Sequence, residues 1–64
     1  MELFDVVIFD TATRKALAMP VKNCAKTGRY PVDRAVENVR LRLPPEQSVQ
    51  LMRAGAVSLG EVLP

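Results

Sequence analysis

Asp10 stands at the end of an apolar run, in the stretch VVIFDTAT, where a carboxylate carried by a strand end is placed to attack phosphorus. That chemistry calls for a second aspartate two residues on and for a parallel sheet to present the first. Ala12 occupies the second position, and 64 residues are too few for such a sheet. Asp10, Thr11, Ala12 and Thr13 read instead as a turn, in which short oxygen-bearing side chains bond to local backbone. The fragment AKTGR holds the letters of a phosphate-binding loop in the wrong order, because the glycine-rich backbone must precede the lysine to wrap a phosphate. Cys24 has Lys22 and Lys26 two residues away on either side. The chain has no histidine to serve as a base and no second cysteine, so this thiol reads as structural or incidental. The seven acids are dispersed, with no pairing that suits acid–base catalysis. A non-enzymatic protein is expected, with no cofactor and no metal site.

The polar residues that remain are basic. The first ten positions hold three acids and no base, whereas Arg14, Lys15, Lys22, Lys26 and Arg29 follow with no acid between Thr11 and Val32. The net charge is only +2, so the asymmetry is local. Lys22, Lys26, Arg29 and Tyr30 form the candidate partner-binding group, since a tyrosine and an arginine beside flexible basic residues are common anchors at protein interfaces. Arg40 and Arg42 form a second candidate pair, one suited to nucleic acid.

The stretch VRLRLPPEQSV, which holds that pair, resembles the strand and first-helix start of ribbon-helix-helix repressors, with polar residues alternating along a strand before proline and glutamate open a helix. The resemblance covers about a dozen residues and implies that Arg40 and Arg42 enter the major groove together. The helical pattern of the same residues implies otherwise. At about 100° per residue, Val32, Ala35, Val36, Val39 and Leu43 share one arc of about 100°, and only Leu41 is misplaced. A strand through Val39, Leu41 and Leu43 would bury Glu37 and expose Val36 when extended. A helix over Pro31 to Leu43 is therefore preferred, ended by Pro44 and Pro45, and it sets Arg40 and Arg42 about 200° apart.

The elements that position these groups follow from the same reading. Leu3 to Phe9 is β-branched and aromatic over strand length, and a second apolar stretch runs from Lys15 to Val21. Together they predict an antiparallel hairpin from Leu3 to Met19, its second strand ending near Met19 or lying with Pro20 on a sheet edge. Lys22 to Arg29 shows no apolar period and reads as an exposed loop. Glu46 to Ala54 reads as a second helix, opened by Pro45 and closed by Gly55. The last segment, VSLGEVLP, carries Ser58 three residues before Glu61 at capping-box spacing and is expected to dock as a tail.

The fold class predicted is α+β: an N-terminal antiparallel β-hairpin packed against one or two short α-helices, in a single small domain spanning residues 1–64. Expected inward residues are Phe4, Val6, Ile8, Leu17, Val36, Val39, Leu43, Val49, Met52, Leu59 and Val62. Leu3, Val7 and Phe9 are apolar too, so both faces of the first strand are candidates for burial, and the excess apolar surface points to a homodimer or a bound partner. A chain this short buries only about 60% of its unfolded surface, which strengthens that expectation. One cysteine and the absence of a long apolar run imply a cytoplasmic protein with no membrane association. The function expected is that of a small accessory or inhibitory protein, of the kind common in phages and mobile elements, that occupies the surface of a larger macromolecule, more readily a protein than a nucleic acid. A small DNA-binding regulator is the alternative.

Overall fold

A computed structural model describes all 64 residues. Strand β1 (Phe4–Asp10) is followed by β2 (Ala16–Cys24), helix α1 (Val32–Arg40) and β3 (Gln47–Arg53). The three strands form one antiparallel sheet in the order β2-β1-β3, so the first strand in the chain is the central one. The α+β class and the N-terminal hairpin stand as predicted. Helix α1 carries the chain across β1, from one outer strand to the other.

The composition of β1 requires this central place. Val6 and Val7 are sequence neighbours and so point to opposite faces, yet both are fully buried. On one face lie Phe4, Val6 and Ile8, beneath the apolar side of α1, whose Val32 and Ala35 are buried. On the other, Val7 and Phe9 pack with Ala16, Val57 and Leu63, and Met19 and Met52 close around them. The C-terminal tail is thus the third layer. It is held by a short antiparallel bridge between Lys15 and Val62, with the Ala16 N–H donating to the Glu61 carbonyl and the Gly60 N–H donating to the Ala16 carbonyl.

The second predicted helix, Glu46 to Ala54, is instead strand β3, paired with β1 without a break from Phe4–Arg53 to Asp10–Gln47. Val49 and Met52, three residues apart, suit one face of a helix, whereas Val49 and Leu51 suit one face of a strand. The need of a doubly covered central strand to pair the backbone groups along both its edges decides between them. The helix is also shorter than the predicted Pro31 to Leu43. Pro31 is its N-cap, the regular turns end at Arg40, and Leu41 to Leu43 continue as a tight turn in which Arg42 N–H donates to the Val39 carbonyl. Leu41, misplaced on the helical wheel, is exposed. Of the expected inward residues, Leu17, Leu59 and Val62 are exposed as well, because Ala16, Val57 and Leu63 take the buried positions beside them.

Strand β2 does not stop near Met19. It runs to Cys24 along the sheet edge by means of three register shifts against β1, so the part of the predicted loop from Lys22 to Cys24 is strand. Lys22 and Asn23 lie opposite Asp5 alone, and Met19 and Pro20 opposite Val7 alone, so Pro20 sits in a bulge. Asn23 adopts a left-handed backbone (φ 54°), a conformation that asparagine tolerates better than most residues.

Asp5 is the one buried polar residue, 3% exposed, and it serves both outer strands. Its Oδ1 accepts the Asn23 N–H at 3.0 Å, and its Oδ2 accepts the Gly55 N–H just beyond β3 at 3.1 Å. At the other end of β1, Asp10 makes the predicted turn: its Oδ1 accepts the amides of Ala12 (3.0 Å) and Thr13 (2.9 Å) and the Thr13 hydroxyl (3.2 Å). Arg14 closes the turn with φ 62°, its guanidinium 4.9 Å from the centre of the Phe9 ring and bonded to Gln50 of β3 and the Pro64 carbonyl. Ser58 and Glu61 form half of the anticipated capping box, the Glu61 carboxylate accepting the Ser58 N–H at 2.8 Å; a turn results rather than a helix.

Two stability measurements follow. Asp5→Ala leaves two amides without their acceptor and should cost about 2–3 kcal/mol in urea unfolding, and a loss under about 0.5 kcal/mol would show the carboxylate to be dispensable. For Asp10, the Thr13 amide, opposed by some desolvation and aided by the Thr13 hydroxyl and the Ala12 amide, holds the carboxyl below its ordinary value. The unfolded chain therefore takes up its proton first as the pH falls. The stabilisation is fully present above the ordinary aspartate range and is lost as the pH drops through the lower value of the folded state. A carbon-13 titration of the Asp10 carboxyl should show that lowered midpoint, and Asp10→Asn should remove this part of the acid dependence.

Candidate functional site

The basic loop left after β2 runs from Ala25 to Pro31 and is pinned at its base. Val32 N–H donates to the Ala25 carbonyl at 3.2 Å, and the Cys24 thiol donates to the Tyr30 carbonyl at 3.1 Å. The thiol thus takes part in the clasp that closes the loop. Between these clasps the chain turns through Gly28, whose φ of +118° suits glycine.

The structure divides the predicted partner-binding group among three places. Lys22 lies on β2 and lines a cavity with Asp5, Met19 and Leu59, on the tail side of the sheet. Lys26 lies over Phe4, its Nζ 5.3 Å from the ring centre, a cation–π contact at the start of β1. Arg29 is exposed at the loop, next to Tyr30. Tyr30 is on the helix side, 42% exposed, with its hydroxyl accepting a hydrogen bond from Asn38 Nδ2 at 3.3 Å.

Tyr30 borders a cleft of about 430 Å³ between the end of α1 and the first two strands. Ile8, Pro20, Val21, Val39 and Leu43 supply apolar lining, while Tyr30, Asn38 and Arg42 supply the polar groups. The position of Arg42 follows from its place in the turn after α1. Arg40, on the helix itself, lines a different cavity on the β3 side with Asp33 and Glu37. The two arginines therefore line different cavities, Arg40 from the helix and Arg42 from the turn that follows it. The resemblance to ribbon-helix-helix repressors is reversed in the structure, with the helix before the double proline and the strand after it.

Tyr30 and Arg42 belong to separate candidate groups in the sequence; the cleft joins them. The sequence gives no site role to Asn38, Val21 or Pro20, and the last two reach the cleft only because β2 continues past Met19. No group of three or more carboxylate or thiol side chains converges in a way that would hold a metal ion. No helix is long and apolar enough to cross a membrane. Comparison with family models, curated proteins and solved structures finds no match to this chain.

The Tyr30 ring and its hydroxyl have separable roles. Tyr30→Phe removes only an exposed hydrogen bond and should change unfolding stability by less than about 1 kcal/mol, with the Asn38 side-chain amide resonances reporting loss of the partner. A larger loss would make Tyr30 a structural residue and not a free anchor.

Proposed function

We propose that this chain is a non-enzymatic protein-binding module, a small accessory or inhibitory protein that occupies the surface of a larger macromolecule, and that the Tyr30–Arg42 cleft is its contact site. The observation that carries this reading is the cleft itself: apolar walls from Ile8, Val21, Val39 and Leu43 beside a half-exposed tyrosine and an arginine. Interface hot spots have this composition, an apolar pocket ringed by groups that hydrogen-bond and carry charge. The fitting partner is a protein segment that inserts an apolar side chain and sets a carboxylate against Arg42, with Arg29 adding positive charge nearby. The dispersed carboxylates and the hydrogen-bonded thiol favour occupation over catalysis. A single free cysteine suits a cytoplasmic setting.

A photoreactive phenylalanine at position 30 should crosslink to a discrete protein in the native host, and the same probe at position 58, on the tail, should not. With the captured protein purified, Arg42→Glu should weaken binding by at least about tenfold. The complex should also persist as salt rises, whereas binding to duplex nucleic acid would fall by about 0.9 log unit per log unit of salt for each phosphate contacted. Equal capture from both positions, or a complex dissolved by nuclease, overturns the reading.

A further inference from the structure

The two outer edges of the sheet are unlike. The β2 edge has bulges, Pro20, Lys22 and the bridged tail, all devices that keep a strand edge from pairing with another chain. The β3 edge has none of them: no proline, no bulge, and no charge before its last residue, Arg53, which is paired with Glu2 at 2.9 Å. In the β1–β3 ladder, the hydrogen bonds Thr11 N–H to Glu46 and Ala54 N–H to Leu3 fix the phase. Even-numbered residues of β3 bond to β1, so the amides and carbonyls of Val49 and Leu51 point outward.

From this edge we infer that the chain forms a two-fold homodimer by antiparallel pairing of β3 with the β3 of a second copy, centred on Gln50. In that register Val49 faces Leu51 of the other copy, every outward backbone group of the two residues is paired, and the sheets join into one of six strands. Val49 and Leu51, both half-buried on the helix side, become a continuous apolar strip with their counterparts. The surface beside the edge is self-complementary in charge. Asp33, Glu37 and Arg40, all exposed, border the cavity above Val49 and Leu51. The two-fold axis runs the helices antiparallel, which brings the acidic first turns of one copy opposite Arg40 of the other. The β3 edge lies on the opposite flank of the sheet from the Tyr30 cleft, so a dimer presents two open clefts.

Sedimentation equilibrium or light scattering of the full chain should give twice the mass of one copy at about 100 μM protein. Val49→Lys places a charge on the edge and should give a single-copy mass with the circular dichroism of the folded chain. Charge reversal tests the same geometry at exposed positions: Arg40→Glu makes one chain wholly acidic at the strip, and Asp33→Arg with Glu37→Arg makes another wholly basic. Each alone should dimerise at least about tenfold more weakly, and an equimolar mixture should recover the doubled mass as a heterodimer. A wild-type chain that keeps the single-copy mass up to about 1 mM overturns the inference. So does a dimer that neither Val49→Lys nor the charge reversals disturb, since it would use another surface.

Discussion

The buried carboxylate of Asp5 joins what the rest of the sheet depends on. It sits on the central strand, receives the amide of a bulged residue from one outer strand, and receives the amide just past the other. Bulges leave backbone groups outside the ladder, and the Asp5 carboxylate supplies the acceptor for these part-buried bonds. An aspartate at this position allows β2 to be longer than β1 and to shift register along it, while the same side chain fixes where β3 ends.

That constraint has a consequence for the distribution of function. With β1 covered by α1 on one face and by the tail on the other, the interior is fully engaged, and what remains open is the margin of the sheet. On the β2 side, the bulge at Pro20 and the extension through Val21 form one wall of the cleft that Tyr30 and Arg42 border. On the β3 side, the regular ladder leaves an edge of unpaired backbone beside a helix stripe of mixed charge. One margin presents side chains and the other presents main chain, and the difference traces to bulges on one strand and their absence on the other.

Charge alone is a poor guide in a chain of this size. The five bases between Arg14 and Arg29 appear in the sequence as one segment, yet Arg14 lies on Phe9, Lys26 on Phe4, and Lys22 on the tail side of the sheet. Two of these cations cover aromatic rings of the central strand and so contribute to the fold, which removes them from a common surface.

By itself the sequence determined the elements whose local signals agree with their surroundings. The β-branched run of β1, the Asp10 turn and the apolar arc of α1 are set by side-chain sterics, short-range hydrogen bonds and periodicity, all of which act within a few residues. Only the tertiary structure decided that Gln47 to Arg53 is a strand, that β2 passes through Pro20, and that Tyr30 and Arg42 line one cleft. Each of these rests on pairing between residues far apart in the chain: the unpaired edge of β1 claims Gln47 to Arg53, and Asp5 accepts an amide that the bulge of β2 leaves over. Val49 and Met52, three residues apart, also suit one face of a helix, and the hydrogen-bonding demand of a distant, doubly buried strand settles the choice.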